Sequence, residues 1–237
     1  MQTLIISIYS TFQKCLFLLT RHVNFAMLFT QVKRKKYGDF LEHYFTNNTN
    51  LKSELRVISY ENKENVFSFY SDLGVFSKDK IDYGSRALVD TILKEEQRQN
   101  LKILDVGCGY GFIGITLSKI LKSEVLMVDV NKRAVHLCER NIKENKVNAN
   151  ALVSDTYEKV TGKFDIIVTN PPIRAGKDVV LNILETAKEY LNENGVLWFV
   201  IRKDQGAKSI LKILDETYDC DIVKKDKGFY IMRAKIY

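Results

Sequence analysis

The spacing of apolar and polar residues changes several times along the 237-residue chain. Residues 55–61 and 66–72 are rich in β-forming residues and flank the polar segment 62–65, which predicts a β-hairpin. Residues 84–97 follow with apolar side chains at helical spacing. From residue 101 onward, short apolar runs alternate with longer amphipathic segments, a pattern typical of an α/β domain.

This alternation predicts a doubly wound, mainly parallel sheet. Strands are expected at 101–105, 124–129, 149–154, 164–169 and 196–201. Helices are expected at 112–121, 132–145, 177–191 and 207–217, with Asn194-Gly195 closing the third of them. Residues 221–225 and 229–235 predict a final antiparallel pair around Lys227-Gly228. We expect one domain over residues 43–237, preceded by an N-terminal extension over 1–42 that the core function does not need.

The formal charge of +7 favours an anionic partner only weakly, because residues 1–42 hold six basic and two acidic residues and so carry +4 of it. The basic run Lys33–Lys36 predicts a solvated patch, with contact to RNA or an anionic surface as the alternative. Polar residues interrupt the apolar start, so no stretch reaches the roughly 18 to 20 residues of a membrane span. We therefore expect no membrane span.

The four cysteines, at positions 15, 108, 138 and 220, lack any metal-binding spacing. We therefore expect no metal site and a reducing, cytoplasmic setting. Cys108 lies inside a glycine loop and, without a histidine nearby in the sequence, is interpreted as a small packing residue.

The segment Asp105-Val106-Gly107-Cys108-Gly109-Tyr110-Gly111 directly follows a predicted buried strand. Glycines at alternate positions allow the backbone to turn tightly and approach a ligand. Residues 109–114 also fit the dinucleotide pattern GxGxxG, which alone is weak. An acid at the mouth of the loop would repel a pyrophosphate and attract an ammonium and a sulfonium group, so Asp105 favours S-adenosyl-L-methionine (AdoMet) over NAD. The alternative is a strand-end residue that caps a turn.

Two further acids end predicted strands. Asp129 stands about where an acid binds the hydroxyls of a ribose, which AdoMet and NAD share. Asp155 is placed to accept a hydrogen bond from an adenine amino group, although residues 154–156 are equally typical of a plain helix or turn cap.

The only two prolines form Asn170-Pro171-Pro172 at the end of a predicted strand. The motif resembles that of class I AdoMet-dependent methyltransferases, which act on exocyclic amines of adenine or guanine or on a glutamine side-chain amide. An exocyclic amine is a poor nucleophile because its lone pair is delocalised into the ring. The Asn170 side-chain oxygen and the Pro171 carbonyl would accept its hydrogens, and the stiff prolines would fix that geometry. Such a site needs no strong base, and its rate comes from orientation and charge complementarity. A rigid strand-to-loop turn is the structural alternative.

The three motifs together resemble the class I AdoMet-dependent methyltransferases that modify planar nitrogens. The segments 72–77, 82–86, 170–177 and 202–207 are similar to those of the small-subunit (16S) ribosomal RNA guanine-N2 methyltransferases. The resemblance implies a Rossmann-like fold with a mainly parallel seven-stranded sheet, a C-terminal antiparallel strand pair and an N-terminal β-hairpin. It also implies AdoMet as cofactor, and ribosomal RNA or the small ribosomal subunit as partner.

The resemblance also implies roles for individual residues. AdoMet would be bound by Asp105, Gly107, Gly109, Gly111, Asp129 and Asp155, and its methionine end by Phe76, Gly84 and Ser85. Catalysis would rest on Asn170, Pro171 and Pro172. Substrate RNA would be contacted by Ile173, Arg174, Lys177, Arg202 and Lys203, with Lys224 and Lys225 as further phosphate candidates. Each cation alone is equally compatible with a solvated surface role.

Ile173 departs from the family pattern, because an aromatic residue that stacks on the target ring is usual at this position. Phe76, Tyr83 and Phe229 are candidates to replace it. Better-known members carry a second, degenerate domain that we do not expect in these 237 residues, so the resemblance does not imply the same target nucleotide. The alternatives are a protein glutamine-amide methyltransferase, an NAD-dependent oxidoreductase, and a non-catalytic AdoMet- or RNA-binding module.

Overall fold

The computed structural model describes residues 53–237. The expected extension over 1–42, its basic run Lys33–Lys36 and Cys15 lie outside the described residues. The described part starts with a two-stranded antiparallel hairpin, β1 (Arg56–Asn62) and β2 (Asn65–Ser71). The predicted hairpin is thus confirmed.

A seven-stranded sheet and five α-helices make up the rest of the described chain. In chain order the elements are α1 (Tyr83–Glu95), β3 (Lys102–Val106), α2 (Phe112–Leu121), β4 (Glu124–Asp129), α3 (Lys132–Asn145), β5 (Ala149–Val153), β6 (Phe164–Thr169), α4 (Lys177–Thr186), β7 (Leu191–Arg202), α5 (Ala207–Leu214), β8 (Tyr218–Asp226) and β9 (Phe229–Ile236). Short 3₁₀ turns occupy Ile173–Ala175, Ala187–Glu189 and Lys203–Gln205.

The strand order is β5-β4-β3-β6-β7-β9-β8, parallel from β5 to β7 and antiparallel at β7-β9-β8. The expected α/β fold with its C-terminal antiparallel pair is therefore confirmed. Successive buried residues of the sheet belong to different apolar clusters: Ile103 packs with α1, α2, α3 and the hairpin, and Leu104 packs with α4 and α5. Because side chains alternate along a strand, these clusters cover opposite faces of the sheet.

The predicted helix over 177–191 is too long. Helix α4 ends at Thr186, and Asn194-Gly195 lies within β7 instead of closing a helix. The register shifts here, since Phe164 pairs with Leu191 but Ile166 pairs with Val196. A Cβ on Gly195 would lie 2.9 Å from the Asn192 and Phe164 carbonyl oxygens, so the glycine permits a tight bulge that its sequence position alone does not reveal.

The predicted helix over 207–217 also ends early, at Leu214, and β8 begins at Tyr218 instead of residue 221. Tyr218 is fully buried, and its hydroxyl donates to the Leu184 carbonyl over 2.8 Å. This long-range hydrogen bond compensates for the burial of the phenol oxygen and holds the chain extended at that point.

Two buried asparagines of α3 attach the hairpin to the domain. The Asn141 side chain accepts from the Tyr70 amide over 2.7 Å and donates to the Tyr70 carbonyl over 2.9 Å. Asn145 makes the same pair of bonds with Ser68, over 3.1 and 2.8 Å. The side-chain amides thus replace a neighbouring strand along one edge of β2.

Candidate active site

The predicted motifs meet at the carboxyl ends of β3, β4 and β6. The chain leaves β3 toward β4 and β5 on one side and returns to β6 on the other, so the strand order reverses between β3 and β6. The Thr169 hydroxyl donates to the Val106 carbonyl over 2.8 Å and fixes the two strand ends together. In open α/β sheets this switch point is where ligands bind.

The glycine loop is held to the end of β4 by its own backbone. The amides of Gly107 and Cys108 both donate to the Val128 carbonyl, over 2.8 and 3.0 Å, and the Gly109 amide donates to Asp129 Oδ2 over 2.9 Å. Gly107 and Gly109 have φ angles of 76° and 57°, and an added Cβ at either would meet no atom within 4 Å. The two glycines thus leave open space above a fixed backbone.

Gly111, which the sequence groups with the cofactor-binding glycines, differs from Gly107 and Gly109 in its surroundings. Its φ is 94°, and a Cβ there would lie 2.6 Å from the Cys138 sulfur. Cys138 also bonds Cys108, and this contact together with burial raises the pKa of the Cys108 thiol. Both observations fit packing residues and disfavour a thiolate nucleophile at Cys108.

Asp105 does not lie at an open mouth of the loop, as its position in the sequence suggested. Its side chain is fully buried, and its Oδ2 atom accepts from the Gly114 amide over 3.0 Å. The Oδ1 atom is buried without a hydrogen-bond partner among the described residues. Burial, opposed by the Gly114 bond and reinforced by the Asp129 charge, raises the pKa of Asp105 to about 7.

Asp129 and Asp155 end adjacent strands on the same edge of the sheet. Asp129 is partly exposed and accepts from the amides of Gly109 and Asn131; burial raises its pKa. The Asp129 carbonyl accepts from the Ser154 amide over 3.1 Å, which places Asp155 beside it. The capping bond at this turn comes from Ser154, whose hydroxyl accepts from the Lys159 amide over 3.1 Å, while Asp155 is exposed.

Asn170 is oriented by two residues far away in the sequence. Its Nδ2 atom donates to Asp82 Oδ2 over 3.1 Å and to the Ser85 hydroxyl over 2.8 Å. An ionised carboxylate only accepts hydrogen bonds, so the amide nitrogen must face Asp82. The Oδ1 atom of Asn170 is thereby fixed on the opposite side as an acceptor.

Sequence reasoning did not assign a role to Asp82. It is the N-cap of α1, where Oδ2 also accepts from the Ser85 amide over 2.8 Å. The spacing from Asp82 to Ser85 could have predicted the cap. Its contact with Asn170 spans 88 residues and has no sequence signal.

The prolines shape the turn that follows Asn170. The Pro171 carbonyl accepts from the Ile173 amide over 2.8 Å, so one of its two lone pairs is already used. The Pro172 carbonyl accepts from the Ala175 amide over 2.9 Å and starts the 3₁₀ turn. Ile173 is partly buried and lines a small cavity with residues of α4 and α5, including Lys177 and Ile210.

The structure divides the residues expected at the methionine end. Gly84 and Ser85 are buried next to Asp82 and Asn170. Phe76 is 55% exposed, in the loop whose Gly74 carbonyl accepts from Asn131. Gly84 and Ser85 thus lie beside Asn170 and Asp82, whereas the loop that carries Phe76 is held near the end of β4.

The candidate RNA-binding cations are all exposed, and several have local partners. Lys177 bonds the Ser209 hydroxyl over 3.0 Å, and Arg202 bonds Asp204 over 3.0 and 3.1 Å. Lys224 pairs with Asp226 over 3.2 Å. Lys225 lies over the Tyr230 ring. Lys203 directly follows β7, and Arg174 lies in the 3₁₀ turn after Pro172.

Within residues 53–237 no cluster of His, Cys, Asp or Glu is arranged to hold a metal ion. In the same range no helix has the length and apolar character needed to cross a membrane.

Comparisons with known proteins identify the family of this chain. The family model named Methyltransferase small domain matches residues 66–233. The uncharacterized protein YbxB of Bacillus subtilis is 44% identical over 199 residues, which cover 82% of this chain and 98% of YbxB. Ribosomal RNA small subunit methyltransferase C of Haemophilus influenzae is 33% identical over 155 residues, 63% of this chain and 46% of the relative.

A solved structure also resembles this chain. A T. thermophilus 16S rRNA N2 methyltransferase, solved in complex with AdoMet and guanosine, matches with a TM-score of 0.71 and 27% identity over 79% of this chain and 52% of that chain. The chain thus spans about half the length of the relatives that are named ribosomal RNA methyltransferases, and nearly all of YbxB. The site and these matches together show that the chain belongs to the methyltransferase small domain family and is related to the ribosomal RNA small subunit methyltransferases C.

Proposed function

We propose that this protein transfers a methyl group from AdoMet to the exocyclic N2 amine of a guanine in 16S ribosomal RNA. The observation that carries the proposal is the fixed orientation of Asn170. With both amide hydrogens held by Asp82 and Ser85, the Asn170 oxygen is the atom left to accept from an incoming amine. A pure AdoMet or RNA binder has no need of such an acceptor.

The residues around the glycine loop fit AdoMet. Open space above Gly107 and Gly109 admits a ligand close to the backbone. Asp105, buried with an unpartnered oxygen, and Asp129 would supply negative charge that attracts the ammonium and sulfonium groups of the ligand. Asp129 has lone pairs left to accept hydrogen bonds from the ribose hydroxyls. Asp155, which is exposed at the neighbouring strand end, would accept from the adenine amino group. When bound, AdoMet supplies an electrophilic methyl group.

The protein's own contribution to the reaction is positioning. Asn170 Oδ1 and the second lone pair of the Pro171 carbonyl accept the two N–H hydrogens of the amine and direct its lone pair. The nitrogen would become cationic as the N–C bond forms and the bond between the methyl group and the sulfonium sulfur breaks, which leaves a neutral thioether. The two oxygens, with the carboxylates of Asp105 and Asp129, would stabilise the charge on the nitrogen. The proton leaves to solvent afterwards, so no strong base is required.

The guanine assignment draws support from the relatives. The T. thermophilus enzyme is described as acting on an N2 position of 16S rRNA and was solved with guanosine, and the match to it covers 79% of this chain. The H. influenzae relative is named a ribosomal RNA methyltransferase. The exposed cations at Arg174, Lys177, Arg202 and Lys203 suit an RNA phosphate backbone.

The test incubates the protein and labelled AdoMet with each of three candidate substrates: unmodified 16S rRNA, 30S subunits assembled from it, and total protein. Mass spectrometry then locates the label. We expect label on guanine N2. Asn170→Ala should lower kcat by about 10²–10³ while AdoMet binds as in the wild type, because an acceptor used in the transition state is lost. Asn182→Ala, an exposed asparagine on α4, is the matched control and should retain full activity.

Label on a protein glutamine with none on RNA would replace the guanine assignment by the glutamine alternative. Full activity of Asn170→Ala would remove the acceptor role.

A further inference from the structure

Four side chains form a row in which two cations flank two aromatic rings. The rings of Tyr83 and Phe229 lie 5.6 Å apart at an angle of 43°. The Arg202 guanidinium carbon lies 5.4 Å from the Phe229 centroid, and Lys227 Nζ lies 4.7 Å from the Tyr83 centroid. Both rings pack against the edge of an apolar cluster but remain partly exposed, and both cations are exposed, so the row lies where the core meets the surface.

The row lies close to Asp82, the residue that holds the Asn170 side chain. A Cβ on Gly84 would lie 2.8 Å from the ring edge of Phe229 and 3.1 Å from Asp82 Oδ2. The ring and the carboxylate therefore border the same point of α1, and this same oxygen holds Asn170. A molecule that presents an amine to Asn170 has the Phe229 ring close by.

The backbone holds the row rigidly. Phe229 pairs with Arg202 across β7 and β9, and Asp226 pairs with Phe229 across a two-residue turn. Both turn residues, Lys227 and Gly228, have positive φ, the geometry that matches strand twist in tight hairpins. The Gly228 carbonyl accepts from the Lys203 amide over 2.8 Å and ties this turn to the end of β7.

The composition of the row fits a nucleotide. Aromatic faces and guanidinium planes stack on bases, and Arg and Lys contact phosphates. Residues 202–204 and 224–227 contain five cations and two acids, an excess of positive charge. The Arg202–Asp204 pair is exposed, so exchanging the carboxylate for a phosphate costs little.

We propose that Tyr83 and Phe229 pack against the guanine nucleotide presented to Asn170, while Arg202 and Lys227 contact phosphates of the same strand. This inference rests on the proposed function. The ring at position 229 then supplies the aromatic surface that Ile173 lacks, since Ile173 faces the cavity between α4 and α5.

The test measures steady-state methylation and equilibrium binding of unmodified 16S rRNA, with AdoMet affinity determined separately. Phe229→Leu keeps apolar bulk and removes the ring, and we expect the KM for RNA to rise about tenfold or more. The double variant Arg202→Gln/Lys227→Gln should weaken RNA binding and lower the slope of log affinity against log salt by about 1.4, the value for two phosphate contacts on a single strand. AdoMet affinity and the thermal midpoint should stay unchanged in the double variant.

The matched control is the double variant Lys143→Gln/Lys146→Gln, an equal loss of two charges at exposed positions in the last turn and C-cap of α3, which packs against β4 and β5 at the other edge of the sheet. Row variants that behave like this control would overturn the inference, even where the wild type methylates RNA. If the row variants lose RNA binding but the wild-type protein does not modify guanine, the result would support the role of the row and contradict the proposed function. A wild type that binds no RNA would contradict both.

Discussion

The two halves of the candidate site are built in different ways. In the cofactor half, the backbone of the glycine loop bonds the end of the adjacent strand, and residues 105–129 supply nearly every contact. In the substrate half, Asn170 depends on Asp82 and Ser85, which precede it by 88 and 85 residues. The first half is a continuous motif, whereas the second is an assembly of side chains from separate elements. We therefore expect substitutions in the two halves to have different consequences.

The largest expected effect separates the glycines of the cofactor half. Gly111→Ala would place a methyl group 2.6 Å from the Cys138 sulfur in a left-handed conformation, so the free energy of unfolding should fall by about 3 kcal/mol. Gly109→Ala meets open space and should cost only about 1 kcal/mol of strain while weakening AdoMet binding. Chemical denaturation and AdoMet titration of both variants measure the difference. Equal loss of stability in the two variants would contradict the division between packing and binding glycines.

A smaller effect is expected in the substrate half. Asp82→Ser keeps an N-cap hydroxyl for α1, but its side chain is too short to hold the Asn170 amide. We expect kcat to fall about 10²-fold, a cost of about 2.7 kcal/mol in the transition state, with AdoMet affinity unchanged. Asp178→Ser, in the exposed first turn of α4, is the control. A parallel loss of AdoMet affinity would mean that Asp82 belongs to the cofactor half instead.

The smallest expected effect on function is a pH dependence of AdoMet affinity that is centred on Asp105. Its pKa of about 7 lies above the ordinary value of 3.8, so the folded protein holds a proton that the unfolded chain releases. The free energy of unfolding should therefore fall as pH rises from about 4 to 7, and Asp105→Asn should remove this contribution. AdoMet affinity should rise several-fold between pH 6 and 7.5, because ionised Asp105 attracts the positive ligand. Calorimetry measures the AdoMet affinity of the wild type and of Asp105→Asn at each pH. The same rise in affinity in Asp105→Asn would assign the effect to another group.

The sequence predicted the fold well where the physical signal was local. Several elements, including α2, β4, α3 and β6, have the predicted bounds, because apolar periodicity and caps such as Asn131 act over a few residues. It failed where a distant contact decided the local structure: the bulge at Gly195 depends on Phe164, and the early end of α5 is followed by a strand anchored through Tyr218.

The candidate site divides along the same line. The sequence by itself determined the glycine loop, the acids at strand ends and Asn170-Pro171-Pro172, because each follows a buried strand and parallel strands end at one edge. Only the tertiary structure decided that Asp105 is buried, that Gly111 lies close against Cys138, and that Asp82 orients Asn170. Periodicity and spacing describe neighbours along the chain, whereas burial, steric contact and hydrogen-bond partners depend on residues that meet only after folding.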